Sequence, residues 1–342
     1  MSSALFLTAL GGLVLASYPS YQTLQILYGY WGFTSVFLFW GAMIKATRLW
    51  GGDNNQGKAF GFLDGGRGIV AASMGSIGVF VFTIVLTSDI ESASVLERQE
   101  AFRYVILLSS FMVAFIGLLV LIFLRNMEDK NTNFELPLNT LTNIKGVLKN
   151  ESIWLLMLII MCAYVGYKVT DIYSLYASEV MLYDQIEAAE VGALQLYLRP
   201  IVCIAIGLLA DRTKNMFWII FGFVTMLIGA LIFSFGIIKP DMNFIFFLSL
   251  VILAVGTYSI RALYFAVLKE ANVAFALTGT AVGIISVVGY SPDIFAGPIM
   301  GYLLDENPGI IGHQYVYFML VIFSIIGLIA SIRFARLTKL SV

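Results

Sequence analysis

The residues best suited to chemistry in this chain are ionisable side chains that interrupt strongly apolar stretches. They are Lys168, Asp171, Arg199, Arg261 and Asp293. A charge at the centre of a lipid bilayer costs about 2.5–3.5 kcal/mol on insertion scales, so such a group is expected to face a cavity or a partner. Cations outnumber carboxylates in this set, which favours an anionic ligand.

Helical geometry indicates which of these side chains lie at similar depth. With a rise of about 1.5 Å per residue, Lys168 and Asp293 each lie roughly 24 Å along their segments, where they can pair. Arg199 precedes Asp211 by 12 residues, which places it close to the membrane midplane. Lys168 and Asp171 have i,i+3 spacing, so a purely intrahelical ion pair is an open alternative.

Three further residues are candidate ligands because of the helix faces on which they lie. Tyr258 shares a face with Arg261, and Trp31 shares one with Lys45, so all of them are candidate substrate ligands. The alternatives are structural. Lys45 can extend its ammonium group to the cytoplasmic surface, and the aromatic side chains can serve as packing or interface anchors.

Arg199 also has a structural alternative: it precedes Pro200, and a proline frees a backbone carbonyl that a guanidinium can bind. His313 precedes the last apolar segment, in a predicted outer loop where solvation is expected. Cys162 and Cys203 stand alone in apolar runs, where packing is expected. The sequence has neither metal-site spacing nor a cluster typical of an active site, so we expect no catalytic residue, metal or cofactor.

Composition requires that most of the chain lies in lipid. Of its 342 residues, 60% are hydrophobic and 12% are charged, and the mean hydropathy is +0.91. Apolar stretches of about 20 residues recur along the chain and predict about 10 transmembrane helices. A water-soluble fold is excluded, and no basic face for nucleic acid is visible. The predicted class is an all-α polytopic membrane protein whose partner is the lipid bilayer.

The distribution of basic residues predicts the orientation. Most Lys and Arg fall on one side of the predicted helices. Lys58 and Arg67 are among them and lie near the start of the helix that is predicted from Gly61 to Leu86. Basic residues on the other side are limited to Arg98, Arg103 and Lys239. Because positively charged short loops stay in the cytoplasm, we expect a multi-pass inner-membrane protein with both termini cytoplasmic.

A long polar connection predicts the domain boundary. The stretch after Arg125 is much longer than any other connection. The predicted divisions are a four-helix bundle at 1–125, a cytoplasmic linker at 126–151 and a six-helix bundle at 152–342. Within the linker, apolar residues at helical spacing predict a short amphipathic helix on the inner surface; they are Leu138, Leu141, Ile144 and Leu148.

The two predicted bundles contain a weak internal repeat. Ala59-Phe60 recurs as Ala274-Phe275, and Gly68-Ile69 recurs as Gly283-Ile284, both 215 residues later. Repeated halves are typical of transporters. At this offset, the partners of the first two helices of the second half fall before Met1. We therefore expect a duplicated six-helix unit that lacks its opening pair.

The loop after the predicted sixth helix carries the most specific motif. It reads Gly207-Leu-Leu-Ala-Asp211-Arg212-Thr-Lys-Asn, which resembles the G-x-x-x-D-R loop signature of the major facilitator superfamily. The Gly- and Pro-rich stretch from Thr278 to Gly301 resembles the eleventh helix of that superfamily. The resemblance implies a two-bundle fold represented by family helices three to twelve, with Gly207, Asp211 and Arg212 as a cytoplasmic gate.

The resemblance also implies a function. It implies a secondary active transporter that moves a small organic solute by alternating access. The solute is expected to be anionic, and proton coupling is an open possibility. The expected state is a monomer. The entry to the third helix, Gln56 to Gly61, is similar to the organic-anion and sugar-phosphate branch. A ten-helix carrier of another family and a truncated remnant that does not transport are the alternatives. A membrane enzyme is not expected.

Overall fold

The computed structural model describes residues 1–85, 94–124 and 140–339. All regular elements in these ranges are helical, as predicted. The first part contains α1 (Ser2–Leu15), α2 (Tyr21–Gly32), a π-helical segment (Phe33–Trp40), α3 (Gly41–Gly51), α4 (Gln56–Val85), α5 (Val95–Phe123) and α6 (Thr140–Leu148). The second part contains α7 (Glu151–Val169), α8 (Tyr173–Glu179), α9 (Gln185–Arg212), α10 (Asn215–Ser234), α11 (Asn243–Leu263), α12 (Thr278–Gly289), α13 (Pro292–Glu306) and α14 (Ile310–Lys339).

Eight helical stretches in the described ranges are long and apolar enough to cross a membrane. The class of polytopic helical membrane protein is therefore confirmed. The predicted count of about 10 helices stays a prediction. Helix α1 is a shorter apolar helix, and α2, the π-helical segment and α3 form one continuous helical run with a changed hydrogen-bond register at its centre.

Polar side chains fix where several helices begin. The Asp184 carboxylate accepts hydrogen bonds from the amides of Ile186 and Glu187 at the start of α9, and the Glu187 side chain binds back to the Asp184 amide. Asn150 accepts from the Ser152 amide at the start of α7. Each such cap contributes about 1 kcal/mol because it satisfies amides that the helix leaves unpaired.

The chain forms two compact units. The first contains Met1–Ala46 and Val70–Leu138, as far as these are described, and the second contains Thr47–Ile69 and Asn139–Val342. In the first unit, the Trp31 indole donates to the Thr8 carbonyl oxygen at 3.0 Å. Packing units need not coincide with bundles, so the divisions at 1–125, 126–151 and 152–342 stay predictions. A helix does lie in the linker, as α6, while residues 125–139 are outside the described ranges.

The second unit has an aromatic core centred on Tyr176 of α8. Its ring contacts those of Phe233, Phe246 and Tyr317, with centroid separations of 4.9, 5.6 and 5.9 Å. His313 also packs on Tyr176, and its Nε2 lies 3.0 Å from Glu179 Oε2. The expectation of a solvated outer-loop histidine is therefore wrong. Helix α14 begins at Ile310, earlier than the apolar run indicates, and the first turn carries His313 into the core.

Candidate functional site

The second unit contains a sealed ion-pair cluster around the carboxylate of Asp64. Asp64 Oδ1 accepts hydrogen bonds from Arg199 Nη2 at 2.8 Å and from Arg67 Nη1 at 3.3 Å. Asp64 Oδ2 accepts from Arg199 Nε at 3.3 Å and lies 3.6 Å from Arg261 Nε. One carboxylate therefore faces three guanidinium groups, so the cluster has an excess of positive charge.

Glycines place Asp64 in this position. Gly57, Gly61, Gly65 and Gly68 lie on the side of α4 that packs against α9. A Cβ atom added to Gly61 would lie 2.6 Å from the Cys203 carbonyl oxygen, closer than packed atoms approach. Helices without side chains at their contact pack backbone against backbone. We call this contact the glycine seam; it brings Asp64 within reach of Arg199, which side chains of ordinary size would prevent.

Asp211 of the predicted gate motif closes one end of the glycine seam. Its two carboxylate oxygens accept from the amides of Gly57, at 2.7 Å, and Lys58, at 2.8 Å. These amides are in the first turn of α4, where helix amides lack intrahelical partners and attract negative charge. Gly207 lies in the glycine seam itself, 2.9 Å from the position of a Cβ atom on Gly61. Arg212 follows at the end of α9 and is exposed.

Arg261 is the most deeply buried cation of the cluster, with a side chain 3% exposed. Its guanidinium lies 3.8 Å from the ring centroid of Tyr167 and 5.6 Å from that of Tyr164, both cation–π contacts. Its Nη1 is buried and has no hydrogen-bond partner in the described part of the chain. A buried guanidinium nitrogen without an acceptor is an energetically unfavourable group that an anion would satisfy.

A second, more open cluster contains the other predicted membrane charges. Lys168 Nζ lies 2.9 Å from Asp171 Oδ2 and 3.7 Å from Asp293 Oδ1. Tyr164 donates to Asp293 Oδ2 at 3.0 Å. The pairing of Lys168 with Asp293 that their depth predicts is present, and so is the intrahelical pair with Asp171. Because Tyr164 also lies against Arg261, the two clusters are neighbours.

The remaining predicted ligands occupy different places. Tyr258 is buried, and its hydroxyl donates to Gln195 Oε1 at 3.4 Å. Lys45 and Trp31 belong to the first unit, where both are half-buried. Arg199 binds Asp64, so its main contact is a carboxylate and the proposed proline-freed carbonyl is not among its observed partners in the described residues. The roles of all these residues in substrate binding stay predictions.

Sequence reasoning missed Asp64, the central carboxylate. Helix α4 begins at Gln56, five residues before the predicted start at Gly61. Asp64 lay inside the predicted helix as well, but close to its start, and it was not among the predicted site residues. The signal that would have found Asp64 is the spacing of Gly57, Gly61, Gly65 and Gly68 around it, which is typical of a close helix contact.

Charged groups outside the spans surround a cavity of about 770 Å³ next to Asp211. Lys269 donates to the Asp53 carboxylate, and this hydrogen bond lowers the Asp53 pKa. Burial raises the pKa of Glu270, whose carboxylate accepts from Asn215 Nδ2 at 3.3 Å. Among the described residues, His, Cys, Asp and Glu form no group of three or more that is suited to a metal ion.

Comparison with known proteins identifies relatives of the whole chain. The family model of the Major Facilitator Superfamily matches residues 1–296. Inner membrane protein YihN of Escherichia coli K12 is 25% identical over 98% of this chain and 79% of that protein. Inner membrane protein YqcE of the same organism is 24% identical over 93% of this chain and 74% of that protein.

Solved structures of transporters have the same fold. The crystal structure of FucP, a Major Facilitator Superfamily transporter in the outward conformation, matches with a TM-score of 0.72 and 14% identity, over 96% of this chain and 82% of that chain. A bacterial homologue of the iron transporter ferroportin, in an outward-facing state, matches with a TM-score of 0.67 and 12% identity, over 98% and 82%.

Proposed function

Because this chain belongs to the Major Facilitator Superfamily, we propose that it is a secondary active transporter of a small organic anion, working by alternating access. The family match and the eight apolar spans of the described chain show that it is a multi-pass membrane protein of a transporter family. A carrier of an unrelated ten-helix family is therefore excluded. The anionic substrate, the coupling ion and the orientation are our proposals.

The proposal of an anionic substrate is supported by the excess of buried guanidinium groups around Asp64. Three arginines share one carboxylate, and Arg261 Nη1 has no acceptor in the described ranges. Removing a cation from water costs several kcal/mol unless an anion and hydrogen bonds compensate it. Guanidinium groups bind carboxylates and phosphates well because their donors form a planar fork. An incoming anion would complete this arrangement.

Asp211 supports the assignment of a cytoplasmic gate. Its carboxylate joins the end of α9 to the start of α4 through two short hydrogen bonds. Such a contact is specific to one arrangement of the two helices. In our proposal, Gly207 and Asp211 hold this arrangement while the site faces the other side of the membrane, and Arg212 contributes charge at the cytoplasmic surface.

Proton coupling is the second part of the proposal. The cluster of Lys168, Asp171 and Asp293 contains two carboxylates that share one ammonium group, and both are about half exposed. Carboxylates that gain and lose a cationic partner during a cycle can take up and release a proton. A solved structure of the same fold is described as a fucose:proton symporter. We propose Asp293, which is also bound by Tyr164, as the proton-exchanging group.

The remaining properties are proposed from the sequence. The relatives are named inner membrane proteins, and the basic loops place both termini of this chain in the cytoplasm in our proposal. We propose a monomer, with Tyr258 and the two clusters as substrate ligands. Lys45 and Trp31 of the first unit stay candidate ligands. Membership of the organic-anion and sugar-phosphate branch is consistent with this charge pattern but rests on the Gln56–Gly61 resemblance.

Transport by the purified protein tests the proposal. Radiolabelled organic carboxylates and phosphate esters, with neutral sugars as a comparison, are assayed for uptake into proteoliposomes with and without a pH gradient. We expect uptake of an anion that is lost in Arg261→Ala. Arg333→Ala is the matched control, because Arg333 is an exposed arginine paired with Glu151. Unchanged anion uptake in Arg261→Ala would refute the assignment, and absence of any uptake would favour the alternative of a non-transporting protein.

A further inference from the structure

The carboxylate of Asp64 occupies the position in which an organic anion would bind the arginines. It accepts three hydrogen bonds from Arg199 and Arg67, at 2.8 to 3.3 Å, and faces Arg261 Nε at 3.6 Å. Its side chain is 7% exposed. The arginines are therefore already occupied by an anion that belongs to the protein.

We propose that Asp64 is an internal counter-anion, which the carboxylate group of the transported substrate displaces from Arg199 and Arg261, and that this displacement unlocks the glycine seam. The inference rests on the proposed function, because it requires that these two arginines bind an anion. It adds the chemical class of the binding group, a carboxylate, and the way in which binding is coupled to movement.

Exchange of one carboxylate for another keeps the energetic cost small. The guanidinium groups remain paired throughout, so the desolvation penalty of an unpaired buried charge is avoided. The Arg261 Nη1 group gains an acceptor that Asp64 does not supply. After displacement Asp64 keeps Arg67 as a partner, since the two are three residues apart on α4. Arg67 is 40% exposed, so this pair can move toward water without leaving an isolated charge.

Displacement acts on the contact between α4 and α9 because Asp64 lies on the same side of α4 as the glycines. In the described part of the second unit, polar contacts join these helices at two places: Asp64 with Arg199 and the Cys203 thiol, and Asp211 with the amides of Gly57 and Lys58. Around these places the glycines pack against backbone and side-chain atoms of α9. A ligand shifts a conformational equilibrium by its difference in affinity for the two states. An anion that binds Arg199 only when Asp64 has left favours the unlocked state.

Cys203 provides a native reporter of the seam. Its thiol is fully buried and lies 3.4 Å from Asp64 Oδ2, and its carbonyl oxygen faces Gly61. Cys162 is the other cysteine and is buried in α7. In a Cys162→Ala background, the rate of maleimide labelling of Cys203 therefore measures opening of the glycine seam. Cys203→Ala with Cys162 retained is the matched control, since Cys162 reports general unfolding.

The experiment measures labelling with acetate as the carboxylate probe and acetamide as its neutral isostere. We expect acetate, and not acetamide, to raise Cys203 labelling. Asp64→Asn is expected to raise labelling about tenfold without any anion, because the internal ion pair is gone, and acetate should add nothing further. Asp64→Asn/Arg67→Gln leaves the net charge of the cluster unchanged and is used if the single variant does not fold.

The outcomes separate this inference from the proposed function. The proposed displacement is wrong if acetate leaves the labelling of wild-type Cys203 unchanged. It is also wrong if the Asp64 variants are labelled at the wild-type rate. Both conclusions hold even if Arg261-dependent uptake of an anion is observed. If neither the wild-type protein nor any variant takes up an anion, the proposed function is refuted instead. Equal rises with acetate and acetamide would show that charge is irrelevant and also contradict the inference.

Discussion

The two charged clusters of the second unit differ in their access to solvent. In the Asp64 cluster the side chains of Asp64, Arg199 and Arg261 are 7%, 10% and 3% exposed, and Arg67 at its edge is 40% exposed. In the neighbouring cluster Lys168 is 24% exposed and Asp293 is 53% exposed. Charges in a sealed site interact strongly and are costly to leave unpaired, whereas solvent screens the open site. The sealed cluster is therefore suited to hold two alternative arrangements, and the open cluster to exchange ions with water.

Breaking an ion pair in each cluster is the strongest test of this difference. Arg199→Met leaves Asp64 without its shortest hydrogen bonds, and we expect a loss of about 3–5 kcal/mol in the free energy of unfolding. Lys168→Met should cost less than about 1 kcal/mol, because its partners are partly solvated. Denaturation in detergent measures both. Equal losses in the free energy of unfolding would show that ion pairs in the two clusters contribute equally to stability, which contradicts this difference.

A side chain introduced into the glycine seam tests whether close approach positions Asp64. We expect Gly61→Leu to cost about 1–3 kcal/mol, since its Cβ would lie 2.6 Å from the Cys203 carbonyl oxygen. Gly66→Ala on the same helix is the control, because a Cβ there meets no atom within 4 Å. Thermal stability of the two purified variants gives the comparison. A Gly61→Leu protein as stable as Gly66→Ala would mean that the two helices need not touch.

Removal of the cap on α4 should have a smaller effect. Asp211→Ala leaves the amides of Gly57 and Lys58 without their acceptor, for an expected loss of about 1 kcal/mol. Asp211→Asn keeps one acceptor oxygen and should lose less. If the contact is a gate, Asp211→Ala will also raise the maleimide labelling of Cys203. A rise of equal size in Arg212→Ala would argue that cytoplasmic charge, and not the cap, matters.

The smallest expected effects concern two acidic residues outside the spans, and they have opposite signs. The Asp53 pKa is lowered by the hydrogen bond from Lys269, so its stabilising contribution is present above the unfolded-state pKa and is lost as pH falls through the folded-state pKa. The Glu270 pKa is raised by burial, so folding is favoured below its unfolded-state pKa and that advantage is lost as pH rises through the folded-state pKa.

Substitution of each acid measures these signs. Glu270→Gln should raise the melting temperature at neutral pH and leave it unchanged in acid, whereas Asp53→Asn should lower it slightly at neutral pH only. Melting curves recorded across the acid range provide the measurement. The same sign for both variants at neutral pH would contradict the contrast between a buried and a paired carboxylate.

Sequence reasoning recovered the class and the family because these depend on long apolar stretches and on a local loop motif. The pairing of Lys168 with Asp293 was also predicted from helix depth, since both positions count from nearby helix starts. Asp64 was not predicted. Apolar periodicity shows where a helix is, but a start placed at Gly61 instead of Gln56 put Asp64 within one turn of the predicted helix end, where a charge is expected to be solvated. His313 was misplaced for the same reason.

Partners from distant parts of the chain were beyond prediction from one sequence. Asp64 and Arg199 are 135 positions apart, and no local spacing relates them. For Arg199, the only partner that the sequence could name was therefore a nearby backbone carbonyl, as an alternative to its role as a ligand. Recognition of the glycine spacing would have marked the face of α4 that meets another helix, but it would not have identified α9 as that helix.

The glycine seam has a thermodynamic consequence for any motion that parts it. Because few side chains order when its backbones meet, few rotamers are released when they separate. The free energy of separating the two helices then comes mainly from lost dispersion contacts and hydrogen bonds, which are enthalpic. Little gain in side-chain entropy offsets this loss. Warming should therefore loosen this contact less than it loosens one built from long flexible side chains, so its opening depends on chemistry at its ends more than on heat.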